Sequence, residues 1–124
     1  MSVVSLYKPK ASFQRFGRQL DSYSPHLKEL LLATRTPFEA HQAGQDRLIR
    51  AKGIGGNPNN QLLMVLDGHG PNGHHLSYVG GQLLFQNLER ITPILVKHLE
   101  QGHQERVKPL LTWAYRHTET QMFQ

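Results

Sequence analysis

The sequence predicts an α+β domain, with strands in its first half and helices after Asn72. Short apolar runs separated by turn-forming residues occupy residues 38–66, a pattern typical of strands joined by turns. Residues 76–123 instead carry apolar side chains at spacings of three and four, a pattern typical of amphipathic helices. Because strands and helices are separated along the chain, the α+β class is favoured.

Length and charge limit the classes of function. With 124 residues the chain has room for one hydrophobic core. Lys and Arg number 14 against 9 Asp and Glu, and the resulting net charge of +5 favours contact with acidic surfaces. We expect this charge mainly to confer solubility. Nucleic acid is not an expected partner, because the sequence shows no basic helix or aromatic-basic platform.

The chain shows no sign of export or membrane insertion. Cysteine is absent, which excludes disulfides and thiolate zinc sites and fits a reducing compartment. No stretch approaches the roughly 18 apolar residues of a membrane-spanning helix, and residues 1–6 lack the layout of a secretory signal. We therefore expect an intracellular, cytoplasmic protein without a membrane span.

Residues 1–36 are predicted to form a basic N-terminal arm with a short helix. The arm mixes apolar residues with the four basic residues Lys8, Lys10, Arg15 and Arg18 and has no regular period. Ser24 followed by Pro25 is a helix-start signal, and the leucines after it predict a helix over 25–33. Two interpretations of the apolar residues stay open, packing on the domain or contact with a partner.

Residues 37–124 are predicted to form the second unit. Three strands are expected, at residues 38–44, 47–51 and 62–66, with a turn at Gln45-Asp46 and a Gly- and Asn-rich loop at 53–60. The run 62–66 is continuously apolar, which predicts a strand buried on both faces.

Two helical stretches follow the strands. Helical spacing extends over 76–99, is interrupted at residues 101–103, and resumes over 105–123. Trp113 and Tyr115 lie in the last stretch, and large aromatic side chains in a helix are expected to pack in the core.

The turn after the predicted strand 62–66 carries the residues with most chemical meaning. Asp67 closes the strand, and Gly68 and Gly70 permit a backbone approach that a side chain would block. His69 lies between the two glycines. A carboxylate held beside free backbone carbonyls can bind a hard cation such as Mg²⁺ or Mn²⁺. The alternative is structural, with Asp67 accepting hydrogen bonds from the turn and capping the next helix.

This turn resembles the signature of the metal-dependent protein phosphatases of type 2C, in which an apolar strand ends in Asp-Gly-His-Gly before a glycine-bearing turn and a helix. Here the segment reads MVLDGHGPNGHHLS. The upstream triplet Gly44-Gln45-Asp46 resembles the family's Asn-Gln-Asp box, and two boxes in this order are more specific than either alone. The later helices resemble the pair that packs on the family's first sheet, so the resemblance covers residues 44–123.

The resemblance implies that residues 37–124 are the N-terminal half of an α-β-β-α phosphatase sandwich. It assigns Asp67 to bridging two Mg²⁺ or Mn²⁺ ions, Gly68 to binding one of them through its carbonyl, and Asp46 to support through bound water. His69 takes the role of general acid. The implied reaction of the complete domain is hydrolysis of phosphoserine or phosphothreonine in a phosphoprotein substrate by metal-activated water.

The chain also departs from the family pattern. Gln45 stands where many members have Glu, and no basic residue that would bind phosphate is evident just upstream, so Arg47 and Arg50 are the available substitutes. The acidic residues after Asp67 are Glu89, Glu100, Glu105 and Glu119, all in predicted helices, and the family's C-terminal metal-binding aspartates are missing. We expect a partial or truncated domain, inactive as these 124 residues alone.

A second hypothesis belongs to another functional class. The chain would be a non-catalytic, phosphatase-like structural or binding subunit of a larger assembly, cytoskeletal or ciliary. Under either hypothesis the strands would leave sheet edges and an apolar face for a covering protein partner.

A histidine metal site is a further alternative. His69, His74 and His75 surround Asp67 and are of a type that binds Zn²⁺ or Ni²⁺. Adjacent His74 and His75 would point apart on a helix. Solvated or turn-bonded histidines are therefore the ordinary interpretation.

Overall fold

The computed structural model of the protein describes residues 34–68, 70, 71, 73 and 76–122. The elements are β1 (Phe38–Ala43), β2 (Asp46–Lys52), a 3-10 turn (Ile54–Gly56), β3 (Gln61–Leu66), a π-helical turn (Leu76–Gly80), α1 (Gly81–Glu100) and α2 (Gln104–Met122). Over these residues the α+β class is confirmed, and the strands precede the two long helices. The predicted helix over 25–33 lies outside the described residues.

The three strands form one antiparallel sheet in the order β1-β2-β3. The predicted first hairpin is present, but its turn is Gly44-Gln45, so that Asp46 begins β2 instead of lying in the turn. A two-residue hairpin turn favours glycine at its first position, where the backbone adopts a positive φ. Gly44, with φ 61°, supplies that conformation.

One face of the sheet packs on the helices. Alternate strand residues point to that face, as the pleat of a strand requires. The buried core consists of Ala40, Ile49, Ala51, Ile54, Met64, Leu84, Phe85, Ile91 and Ala114. Ile49 and Phe85 are completely buried, and each such side chain contributes about 1.5–3 kcal/mol by leaving water. The ring of Phe38 lies 5.2 Å from that of Phe85 and joins β1 to α1.

The prediction that β3 is buried on both faces is wrong for the described part of the chain. Met64 is buried, but Leu63 and Val65 on the other face are 46% and 75% exposed. Because both helices lie on one side of the sheet, the described residues put nothing over the outer side. A continuously apolar strand here means one covered face and one open apolar face.

A short non-helical segment connects α1 to α2, and buried side-chain hydrogen bonds hold the two helices together. Residues 101–103 interrupt the helices as predicted, and the amides of Gly102 and His103 bond the carbonyls of Leu99 and His98 at 3.2 and 2.8 Å. Farther along, the side-chain amide of buried Asn87 donates to Thr118 Oγ1 and to Gln121 Oε1, both at 2.9 Å.

Trp113 and Tyr115 are not core residues, in contrast to the expectation from sequence. Both are exposed, whereas Ala114 between them is completely buried. Because neighbouring helix residues point about 100° apart, burying the small Ala114 in the core turns its two large neighbours outward. The Trp113 ring stacks on His117, with centroids 4.9 Å apart, and lies 5.4 Å from the Arg90 guanidinium.

Residues 34–36 run along α1. The side-chain amides of Gln82 and Gln86 donate to Thr34 Oγ1. The backbone amides of Arg35 and Thr36 donate to the Glu89 carboxylate at 3.2 and 2.6 Å. Glu89 is therefore engaged in anchoring the chain that enters β1. Over the described residues, no helix combines the length and apolar character that crossing a membrane requires.

Candidate metal site at the end of the sheet

The register of β2 and β3 brings the two sequence boxes together at one end of the sheet. Arg47 pairs with Leu66, so Asp46 and Asp67 occupy the next position along the two strands. The backbone amide of Gly68 donates a hydrogen bond of 3.2 Å to Asp46 Oδ1. Two boxes that are separated in the sequence by the whole of β2, a loop and β3 thus meet.

Gln45, in the turn between β1 and β2, forms a hydrogen bond to the glycine-containing turn that follows β3. Its side-chain amide donates to the Gly70 carbonyl at 2.8 Å. A Cβ on Gly68 would overlap the backbone carbonyl oxygens of Gln45 and Gly73, and a Cβ on Gly73 would overlap the Gln45 side chain. The prediction that Gly68 permits close backbone approach is confirmed. The same prediction is wrong for Gly70, which has open space beside it. Glycine is favoured there by the positive φ of 83°.

The role of Gln45 was missed by sequence reasoning, which treated this residue only as a departure from a more common Glu. A glutamate carboxylate cannot donate to a carbonyl, whereas the amide of glutamine can. The bond to Gly70 spans 25 positions. No local pattern in the sequence could have indicated it.

The carboxylates of the site differ in what they contact. Asp46 Oδ1 accepts the Gly68 amide. The Asp67 side chain is exposed and forms no hydrogen bond or ion pair with any residue that the structure describes. The structural role considered for Asp67, accepting a turn amide, is thus taken by Asp46, and the Asp67 carboxylate is left open to solvent.

The candidate oxygen donors for a hard cation at this end of the sheet are the Asp46 and Asp67 carboxylates and the Gly68 carbonyl. Two carboxylates and the Gly68 carbonyl fit Mg²⁺ or Mn²⁺, which are commonly held by one or two carboxylates with the remaining positions filled by water. Nowhere in residues 34–68, 70, 71, 73 and 76–122 do three or more His, Asp or Glu side chains gather closely enough to hold a metal.

Arg47 is not placed to bind a substrate phosphate. It is 2% exposed, and its guanidinium carbon lies 4.2 Å from the centroid of the Tyr78 ring in the turn before α1. Its position on the helix-facing side of β2 directs it into the core. Arg47 is therefore a structural residue beneath the site. Arg50 lies on the opposite, outer face of the sheet and is half-buried.

Three histidines that entered the sequence predictions lie outside the described residues. They are His69, His74 and His75. The assignment of His69 as general acid stays a prediction.

Comparison of the chain with protein-family models, with curated proteins and with solved structures gave no match. A functional conclusion therefore depends on the motif residues and on the geometry that joins them.

Proposed function

We propose that this chain carries the first part of a metal-dependent protein phosphatase domain of type 2C, whose complete form hydrolyses phosphoserine or phosphothreonine in proteins. The observation that carries the proposal is the hydrogen bond from the Gly68 amide to Asp46 Oδ1. It joins the Gly44-Gln45-Asp46 box and the Asp67-Gly68 box into one site.

The register of β2 against β3 determines that Asp46 and Asp67 lie opposite each other. A shift of β3 by one residue against β2 would turn Met64 outward and Val65 inward, because strand side chains alternate between faces. The core contacts of Met64 therefore fix the position at which β3 ends and deliver Asp67 next to Asp46. The apolar strand explains why an exposed carboxylate lies at a rigid, defined point.

Each residue has a proposed role. Asp67 and the Gly68 carbonyl would hold the cation. Asp46 accepts the Gly68 amide with Oδ1, and its other oxygen would orient water. His69 donates a proton to the leaving oxygen. The chemistry that Mg²⁺ or Mn²⁺ would supply when bound is activation of water and stabilisation of negative charge on the phosphoryl oxygens.

In this proposal the described residues alone bind a metal weakly and do not turn over substrate. Mg²⁺ gives up its water reluctantly and needs several fixed charges to do so. Asp46 and Asp67 supply two of them. We therefore propose that hydrolysis belongs to the complete domain, with further acidic ligands.

A non-catalytic role is the second candidate, and one observation favours it. Leu63 and Val65 form an apolar outer face on β3 that nothing in the described part of the chain covers. Such a face is typical of a surface that binds another protein. Under this candidate the chain is a phosphatase-like subunit of a larger assembly.

Paramagnetic NMR tests the metal site. Mn²⁺ added to the ¹⁵N-labelled chain should broaden the amides of Asp46, Asp67 and Gly68 before others, and Asp67→Asn should remove that selectivity. Glu100→Gln is the matched control, since Glu100 is an exposed carboxylate at the far end of α1. Selective broadening that persists in Asp67→Asn would reject the assignment.

Hydrolysis separates the two candidates. A small aryl phosphate is incubated with the chain and Mn²⁺, alongside the Asp67→Ala variant. Turnover that needs Mn²⁺ and is lost on substitution would place catalysis within these residues. Metal binding at Asp67 without turnover supports the partial phosphatase domain, and absence of both supports the non-catalytic subunit.

A further inference from the structure

Two histidines come together at the connection between α1 and α2. His98 lies in the last turn of α1, and His103 immediately precedes α2. Their ring centroids are 5.9 Å apart, with the ring planes inclined by 43°. Side chains five positions apart do not share a face of a helix, so the pair forms because the chain turns between the two residues.

The backbone of this connection holds the two imidazoles in place. The His103 amide bonds the His98 carbonyl at 2.8 Å, and the Gly102 amide bonds the Leu99 carbonyl at 3.2 Å. These two bonds, with Gly102 at φ 75°, form the Schellman motif that ends many helices. The two positions that His98 and His103 occupy in this motif often carry apolar side chains in contact. Here imidazoles take both positions.

The Nδ1 atoms of the two rings have no partner in the described part of the chain. Both are shielded from solvent, and neither forms a hydrogen bond within residues 34–68, 70, 71, 73 and 76–122. Shielded polar atoms in native proteins have a partner in the large majority of cases. Two such nitrogens at one contact therefore indicate a ligand that binds imidazole.

The separation of the rings suits a single metal ion. Imidazole nitrogen binds Zn²⁺ at about 2.0–2.1 Å, so two imidazoles that share an ion have ring centroids about 5–6 Å apart. The observed 5.9 Å falls within this range. Neutral imidazole is a preferred ligand of Zn²⁺, Ni²⁺ and Cu²⁺, whereas Mg²⁺ and Mn²⁺ prefer oxygen ligands.

We propose that His98 and His103 form a two-histidine site for a divalent ion of the Zn²⁺ class, with water in the remaining coordination positions. The ion would join the end of α1 to the start of α2. Because it binds the folded connection, it should stabilise the packing of the two helices.

This site is separate from the candidate acidic site and does not depend on the proposed function. α1 contains 20 residues and is about 30 Å long. At Thr92 it already packs against Gly55, in the loop at the opposite end of the sheet from Asp46 and Asp67. The histidine pair lies farther along α1 than Thr92. The two sites therefore differ in place and in the class of metal that they bind.

NMR with Ni²⁺, which is paramagnetic and shares the preference for imidazole, maps the site. Added to the ¹⁵N-labelled chain of 124 residues, Ni²⁺ should broaden the amides of residues 98–103 at lower concentration than the other amides of α1 and α2. Excess Zn²⁺ should reverse this broadening, and Mg²⁺ should not. Broadening acts on nearby amides, so Ni²⁺ bound at other histidines of the chain does not imitate this result.

Single substitutions test the two ligands. His98→Gln and His103→Gln should each raise the Ni²⁺ concentration that half-broadens the Gly102 amide at least roughly tenfold. His117→Gln is the matched control, because His117 is also half-buried but stacks on Trp113, away from the connection. It should leave the Gly102 response unchanged. Circular dichroism of the three variants should match that of the unmodified chain.

Three results would each overturn the proposal. They are broadening of residues 98–103 no earlier than the rest of the helices, broadening that persists in both single variants, and an equal loss in His117→Gln. Selective broadening that Zn²⁺ reverses and that each ligand substitution weakens would support a site built from His98 and His103.

Discussion

Gln45 donates its side-chain amide to the Gly70 carbonyl at 2.8 Å, and this bond fastens the first hairpin to the glycine turn that follows β3. The same side chain fills the space that a Cβ on Gly73 would occupy. Gln45 therefore holds the candidate site in place, with Asp46 and Gly68 in contact beside it.

Gln45→Glu should destabilise the protein. The carboxylate cannot donate to the Gly70 carbonyl, and loss of this solvent-accessible hydrogen bond costs about 0.5–1.5 kcal/mol. Urea denaturation measures the difference. Gln104→Glu, at an exposed position, should change the free energy of unfolding by less than about 0.5 kcal/mol. Equal effects of the two substitutions would contradict the role given to Gln45.

Gly68→Ala should be more damaging than Gly56→Ala. At Gly68 the new methyl would overlap two backbone carbonyl oxygens, whereas at Gly56 it would meet open space at φ 86°. We expect a loss of about 2–3 kcal/mol or more for the first, from overpacking. The second should lose about 1–2 kcal/mol, from the left-handed conformation. Thermal unfolding of both variants provides the comparison, and the reverse order would refute close packing at Gly68.

Asn87 and Thr118 should be energetically coupled. Asn87 donates to Thr118 Oγ1 at 2.9 Å in the buried contact between α1 and α2. A double-mutant cycle with Asn87→Ala and Thr118→Val measures the interaction by denaturation. The expected coupling is about 0.5–1.5 kcal/mol, the range for a net hydrogen bond. Additive effects within error would show that this bond does not stabilise the helix pair.

Tyr78→Leu should lower stability without changing metal binding. Arg47 lies 4.2 Å from the Tyr78 ring centroid and is almost fully buried. Loss of a desolvated cation-π contact costs about 2 kcal/mol. The free energy of unfolding should fall by that order, and Mn²⁺ broadening of the Gly68 amide should be retained. A selective loss of Mn²⁺ binding in a variant of unchanged stability would assign Arg47 and Tyr78 to the site itself.

Features that depend on local pattern could be predicted from the sequence. The apolar run of β3, the break at residues 101–103 and the glycine requirement at Gly68 are of this kind, because strand composition, helix period and turn chemistry are encoded nearby. The contact of Asp46 with Gly68 was anticipated only in outline, through the resemblance of two boxes.

Features that depend on distant partners could not be predicted. The exposure of Val65 follows from which face the helices cover, and the burial of Arg47 follows from the position of Tyr78. The first hairpin turn lies one residue earlier than predicted, at Gly44-Gln45, because Gly44 adopts the positive φ that this turn requires. The spacing of apolar residues carries no information about this backbone conformation. In each case the deciding contact is made by residues far away in the sequence or by backbone geometry.

The most direct test of the shared metal site is the affinity for Mn²⁺, measured by electron paramagnetic resonance of the free ion. The chain is compared with Asp46→Asn, Asp67→Asn, the double variant and the Glu100→Gln control. If the two boxes form one site, each single variant weakens binding by roughly fivefold or more, about 1 kcal/mol or above. The double variant should then lose less than the product of the two single losses. Affinity unchanged in Asp67→Asn, or an equal loss in Glu100→Gln, would contradict a metal site built from Asp46, Asp67 and Gly68.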